Sequence, residues 1–198
     1  MTMFRQLRDS IEAQLGFRLE LLGDADAVAA HVLSKSNGAV LLLTACIEWF
    51  TQRHYLECFQ DDGSLDPFVK HIFKMHWAEE CQHAKLDHLE TLRAFDGVSD
   101  AEQDTAIDDL IGLVAAVDGL LQTQTGFDVD NLQQYLRRSF TTAERAEITA
   151  AVLAAKRYTF IETGVTHERS QELFGAVSNP AQQQRVGAAL VPLLGAAA

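Results

Sequence analysis

Apolar residues along this chain recur at intervals of three and four, the period of a helix buried on one face, and strand-like alternation is nearly absent. The pattern predicts helices over roughly 2–20, 24–34, 38–60, 67–95, 101–126, 128–139, 142–173 and 181–195. The punctuation agrees. Asp66-Pro67 and Asn179-Pro180 each place an N-cap residue before a proline at the first helical position. Ser99 with Glu102, and Thr141 with Glu144, have the spacing at which two side chains each satisfy the other's orphan backbone N–H. Prolines stand only at 67, 180 and 192, so nothing interrupts the stretches between them. Four helices are long enough for a bundle. The expected fold is all-α, a single domain over 1–198 with an up-down bundle core at about 38–173 and extra N- and C-terminal helices.

The helical period also says what each long helix turns inward, at about 100° per residue. In 67–95, Val69, Phe73, Trp77, Ala84, Thr91 and Phe95 fall within about 60° of one line, and so do His76, Glu80, His83 and Asp87. An unpaired charge on an apolar face costs several kcal/mol unless it meets a partner or a metal. The other long helices each repeat the anomaly once. Glu48 lies on the line through Leu41, Thr44, Ala45, Tyr55 and Phe59. Asp118 lies on that through Ile107, Ile111, Val114, Ala115, Leu121 and Thr125. Glu162 lies on that through Ile148, Ala151, Ala155, Tyr158, Val165 and Leu173. Antiparallel packing at 1.5 Å per residue sets Glu48, Glu80 and Asp118 level to within about one turn. Glu162 joins them provided the third helix continues past Gly126.

Four converging carboxylates without cations repel one another, and a pair of bridging divalent ions is the simplest partner. Oxygen donors with one imidazole suit iron or manganese, whereas structural zinc favours Cys and His. Glu48, Glu80-Cys81-Gln82-His83, Asp118 and Glu162, together with the HWAEECQHAKLD segment around Glu80, resemble the ferritin-like di-iron carboxylate pattern. The resemblance covers about 38–173. It implies two iron ions, with manganese as the variant, held by Glu48, Glu80, His83, Asp118 and Glu162. It also implies dioxygen activation on a small organic substrate, with ferroxidase-type iron handling as the alternative.

Three features depart from the family. Val165 stands where a second Glu-x-x-His would place its histidine, the third-helix acid is the shorter Asp118, and the turn at Gly97 replaces a long crossover. His76-x-x-x-Glu80-x-x-His83 resembles the ligand helix of arylamine N-oxygenase-type di-iron enzymes, which makes His76 either a ligand or a donor to a ligating carboxylate. Read from the residues alone, the acids could instead form a buried polar network in a non-enzymatic helical module. Tyr55 and Tyr158 read as core residues with hydrogen-bonded hydroxyls, Cys81 as helix packing, and His31, His54, His71, His88 and His167 as surface residues.

Composition narrows the partners. Sixteen Lys and Arg against 28 Asp and Glu give a net charge of −12, which repels phosphate backbones and anionic lipid. No nucleic-acid or membrane partner is therefore expected, and a homodimer is compatible with the pattern. Three cysteines are too few and too odd in number for a disulfide framework. The opening MTMFRQLRDS lacks an apolar signal core, and the apolar run Ala39 to Phe50 is interrupted by Glu48 and too short to span a bilayer. The expected location is cytoplasmic.

Overall fold

The protein is described by a computed structural model covering residues 2–194, whose regular elements are all helical, with no strand among them. The elements are α1 (Thr2–Leu15), α2 (Ala25–Leu33), α3 (Asn37–His54), α4 (Pro67–Phe95), α5 (Asp100–Leu136), α6 (Thr142–Arg157), α7 (Thr163–Val165), α8 (Glu168–Val177) and α9 (Pro180–Leu190). Two π-helical turns, Tyr55–Phe59 and Tyr158–Glu162, extend α3 and join α6 to α7. No helix of the described residues is long and apolar enough to cross a membrane.

The helix starts are built as their sequence signals require. Asp66 accepts from the Phe68 and Val69 amides at 2.8 and 3.3 Å. Ser99–Glu102 and Thr141–Glu144 close their reciprocal boxes. Asn179 does the same with Gln182, a third box that the Asn-Pro signal only half announces. Each such cap stabilises by about 1 kcal/mol.

The ends of the predicted helices moved where local chemistry overrides periodicity. The first stops at Leu15, because Gly16 takes φ 77 and turns the chain. The following segment runs along α5, where Asn131 and Gln124 accept the Glu20 and Leu22 amides, both at 3.0 Å. Predicted helices 101–126 and 128–139 are one continuous 37-residue helix through Gly126. Predicted helix 142–173 is divided instead. Its π turn, closed by the Thr163 amide on the Tyr158 carbonyl, inserts an extra residue, and the chain breaks again before Glu168. A wheel drawn straight through that turn misplaces the faces on either side. Ala151, Ala155 and Tyr158, expected inward, are exposed, and Val152, Leu153 and Arg157 are better covered. Ala115 of α5 is likewise exposed.

Helix α3 is the central element, packing against α4, α5, α7, α8 and the second π turn. Ala39, Leu42 and Leu43 meet Phe95 of α4, Ile107, Leu110 and Leu113 of α5, and Leu173 and Val177 of α8 in one apolar core. Close approach is tightest at Gly164, where a Cβ would lie 2.6 Å from the Cys46 carbonyl oxygen. Backbone cannot move aside cheaply. Gly164→Ala is therefore expected to destabilise by about 2 kcal/mol in thermal denaturation. Gly119→Ala, on an exposed helical site with nothing within 4 Å, is expected to stabilise by about 0.5–1 kcal/mol. Equal shifts for the two variants would remove close packing of α7 on α3 as the reason for Gly164.

Candidate metal centre

The α3–α4 seam gathers the first group of expected residues. Glu48, Glu80 and His83 offer ligand atoms that all lie within 4.8 Å of one another. The three-residue step from Glu80 to His83 places His83 Nδ1 2.5 Å from Glu80 Oε2. The four-residue step back to His76 places its Nε2 2.8 Å from Glu80 Oε1. Glu80 is thus flanked on each oxygen by one imidazole of its own helix. Phe4 of α1 packs edge-on against His76, with ring centroids 5.1 Å apart, a cover that nothing in the sequence around residue 4 announces.

Charge in the seam is unbalanced. Burial, then the hydrogen-bonding and charge of Glu80, push the Glu48 carboxyl from 4.5 up to about 8, with Asp87 adding a further negative field. Glu80 in turn raises the His83 imidazole above its ordinary value. Unmet polar atoms cluster in the same seam. Glu48 Oε2, Gln52 Nε2 and Trp77 Nε1 are buried without hydrogen-bond partners. Gln52 stands one turn after Glu48, and its Oε1 lies 3.9 Å from the Cys81 thiol. Trp77 stacks on buried Tyr55. Buried polar groups in folded proteins are nearly always satisfied, so the unpartnered Glu48 oxygen leaves an acceptor that a cation would fill.

The seam's acidity has a consequence for metal-free protein. A carboxyl whose folded value is raised adds no penalty below its unfolded value, here near 4.5, where both states hold the proton. Between there and about 8 the unfolded chain ionises first, and folding weakens. The raised His83 acts in the same direction, since its contribution is complete below the unfolded imidazole value and is lost as pH rises through the folded one. Through Glu48 alone, metal-free protein should lose on the order of 2 kcal/mol between pH 5 and 8, after allowance for partial solvent screening. Glu48→Gln should flatten most of that slope in urea denaturation at each pH. An unchanged slope would mean that Glu48 is well solvated.

The other two expected acids, Asp118 and Glu162, lie outside the three-residue group. Asp118, with its side chain 8% exposed, accepts Arg157 Nε at 2.7 Å and Nη2 at 2.8 Å, and Gln122 Nε2 at 2.6 Å. It therefore looks toward the end of α6 and is no part of the Glu48 group. The predicted faces contained no cation at this depth, because Arg157 fell outside the line drawn through Tyr158. Glu162 closes the second π turn, its charge is felt by Arg53, and it too stands outside the three-residue group. Arg53 links the first π turn to the end of α7, donating to Glu57 Oε1 at 2.8 Å and Thr166 Oγ1 at 3.0 Å, while the Tyr158 hydroxyl of the second π turn donates to Glu57 Oε2 at 3.1 Å. Tyr55 is buried as expected, but Tyr158 is exposed, so its hydroxyl finds its partner at the surface. Two histidines expected at the surface have structural work. His54 is half-buried against Phe59 and Phe73, and burial lowers its imidazole. His167 stacks on Trp49 at 5.0 Å and caps α8 by accepting the Arg169 amide at 3.2 Å.

A partly open apolar cavity of about 320 Å³ lies between α3, α5, the second π turn, α8 and α9. It does not open onto the seam. None of Glu48, Glu80 and His83 lines it, although Ile47, which does, is the chain neighbour of Glu48 on α3. No protein-family model, curated protein or solved structure matches this chain.

Proposed function

We propose that this chain is a carboxylate–histidine metalloprotein of the ferritin-like kind, with Glu48, Glu80 and His83 holding an iron or manganese ion. Dioxygen activation on a small organic molecule is the chemistry assigned to it. The observation that carries the reading is the Glu48 carboxyl, with one oxygen buried and unpartnered and the group held near neutral beside Glu80. A bound redox metal would supply electrons to dioxygen and a Lewis acid to the substrate. The chain's own residues do the rest. Glu48 and Glu80 provide hard anionic donors, His83 provides the imidazole, and Gln52 and Trp77 offer N–H donors along the seam. Bringing up the metal displaces the proton from Glu48, so binding should tighten as pH rises.

One feature favours a two-ion variant of the same reading. Glu80 presents its two oxygens to two different imidazoles, His76 and His83, as a bridging carboxylate between two metal ions would. Anaerobic Fe(II) titration of full-length protein distinguishes the variants, with saturation at one or at two equivalents. The oxidase reading then requires substrate-dependent oxygen uptake. Iron oxidation without any organic substrate would favour the ferroxidase alternative, and no metal retention at any pH from 6 to 8 would overturn the metalloprotein.

A further inference from the structure

The cavity between α3, α5, the second π turn, α8 and α9 is built almost entirely from aliphatic and phenyl side chains. Two of its three polar exceptions answer one another, the Ser170 hydroxyl donating to the Cys46 sulfur at 3.8 Å, and the third, Gln171, is exposed. Such a lining offers water few partners. The volume, about 320 Å³, is roughly twice that of an engineered aliphatic cavity, about 150 Å³, that stays dry and takes up benzene. Protein interiors are packed nearly as densely as organic crystals, so a dry void of this size is a large departure that an apolar occupant would relieve.

Shape narrows the occupant. Lining residues run from Leu42 to Phe50 on α3 and from Leu110 to Leu121 on α5, spans of about 12 and 16 Å at the helical rise. An extended polymethylene chain of about ten carbons covers the same length. Leu190 and Val186 of α9 stand among the lining residues at one side. Ile47 and Phe160, also in the lining, are 38% and 41% exposed and mark where the cavity meets solvent. We propose that this cavity binds a single unbranched alkyl chain of about ten carbons, threaded between α3 and α5, with its polar end in water between Ile47 and Phe160. No charged side chain lines the cavity, so recognition is by length and girth rather than by headgroup. The site is independent of the metal centre, and either can exist without the other.

The test uses n-alkanols on the full-length protein, with isothermal titration calorimetry as the readout. Affinity should rise about fourfold per methylene from n-hexanol to n-decanol and level off beyond the cavity's length. Val114→Phe and Val165→Phe, which fill the middle, should weaken n-decanol binding at least tenfold while retaining wild-type circular dichroism. A second measurement does not depend on variants folding. Saturating n-decanol should slow methyl methanethiosulfonate labelling of Cys46, which lines the cavity, at least tenfold by mass spectrometry, and leave exposed Cys58 unchanged. No gain in affinity with chain length, or equal labelling of Cys46 with and without n-decanol, would overturn the proposal.

Discussion

Replacing Glu80 with alanine is expected to abolish binding of Fe(II) and Mn(II), with affinity falling at least about a hundredfold. Glu80 is the residue on which the cluster turns, since it touches both imidazoles and sets the charge felt by Glu48. Glu48→Ala should cost nearly as much, because it removes the buried, unpartnered oxygen that most needs a cation. His83→Ala should weaken binding about ten- to a hundredfold and leave a detectable site, since its ring is 50% exposed and water can take its place. At a hundredfold excess over Kd, metal should raise wild-type stability by about 2.7 kcal/mol, and Glu80→Ala should show none of that gain. Isothermal titration under anaerobic conditions, with thermal denaturation in parallel, reads all three variants. Wild-type affinity in Glu80→Ala would sink the assignment of the α3–α4 seam. Glu162→Ala is the contrasting variant: it stands outside the close group, so its metal affinity should stay within about threefold of wild type.

What was legible in the sequence was what is local along one helix. The caps at Asp66, Ser99, Thr141 and Asn179 depend on two to four neighbouring residues, and each formed as written. The His76, Glu80 and His83 cluster is equally local, because steps of three and four residues on an unbroken helix fix it. Glu48 was reached through one further inference, that α3 and α4 are antiparallel neighbours with a short connection, and they do pack along each other. Beyond that seam the inference depended on long-range arrangement and on helices staying α-helical. Helix α3 meets both α4 and α5, so an acid on α5 need not face the same point as one on α4. The π turn at Tyr158–Glu162 shifts the face on which Glu162 and its neighbours stand, and no residue pattern in YTFIE marks that turn in advance. The apolar cavity was invisible for a related reason. Its walls are ordinary core residues, and only their spacing in three dimensions leaves the void.

Arg157→Ala is expected to destabilise the fold by about 3 kcal/mol, the largest effect of any substitution away from the seam. Removing the guanidinium leaves Asp118 with a single donor, Gln122, in a place where its side chain is 8% exposed. The loss is set near the lower end of the range for broken buried pairs because Arg157 itself is 25% exposed, and water can partly replace it. Arg157→Lys keeps the charge but not the two parallel bonds at 2.7 and 2.8 Å, so an intermediate loss of about 1–2 kcal/mol is expected. Replacing both partners, as Asp118→Leu with Arg157→Met, removes the buried charge altogether and should return stability to within about 1 kcal/mol of wild type. The pair also predicts acid behaviour. Arg157 holds the Asp118 carboxyl below its ordinary value, so the stability it lends is complete above the unfolded value near 3.8 and is lost as pH falls through the folded one. Urea denaturation at pH 7 and pH 3 measures both effects, and the double variant should lose the acid-dependent part. The same double variant decides what Asp118 is for. Unchanged Fe(II) affinity would leave it a structural partner of Arg157, whereas a tenfold loss would return it to the metal centre that its place on the helix wheel first suggested.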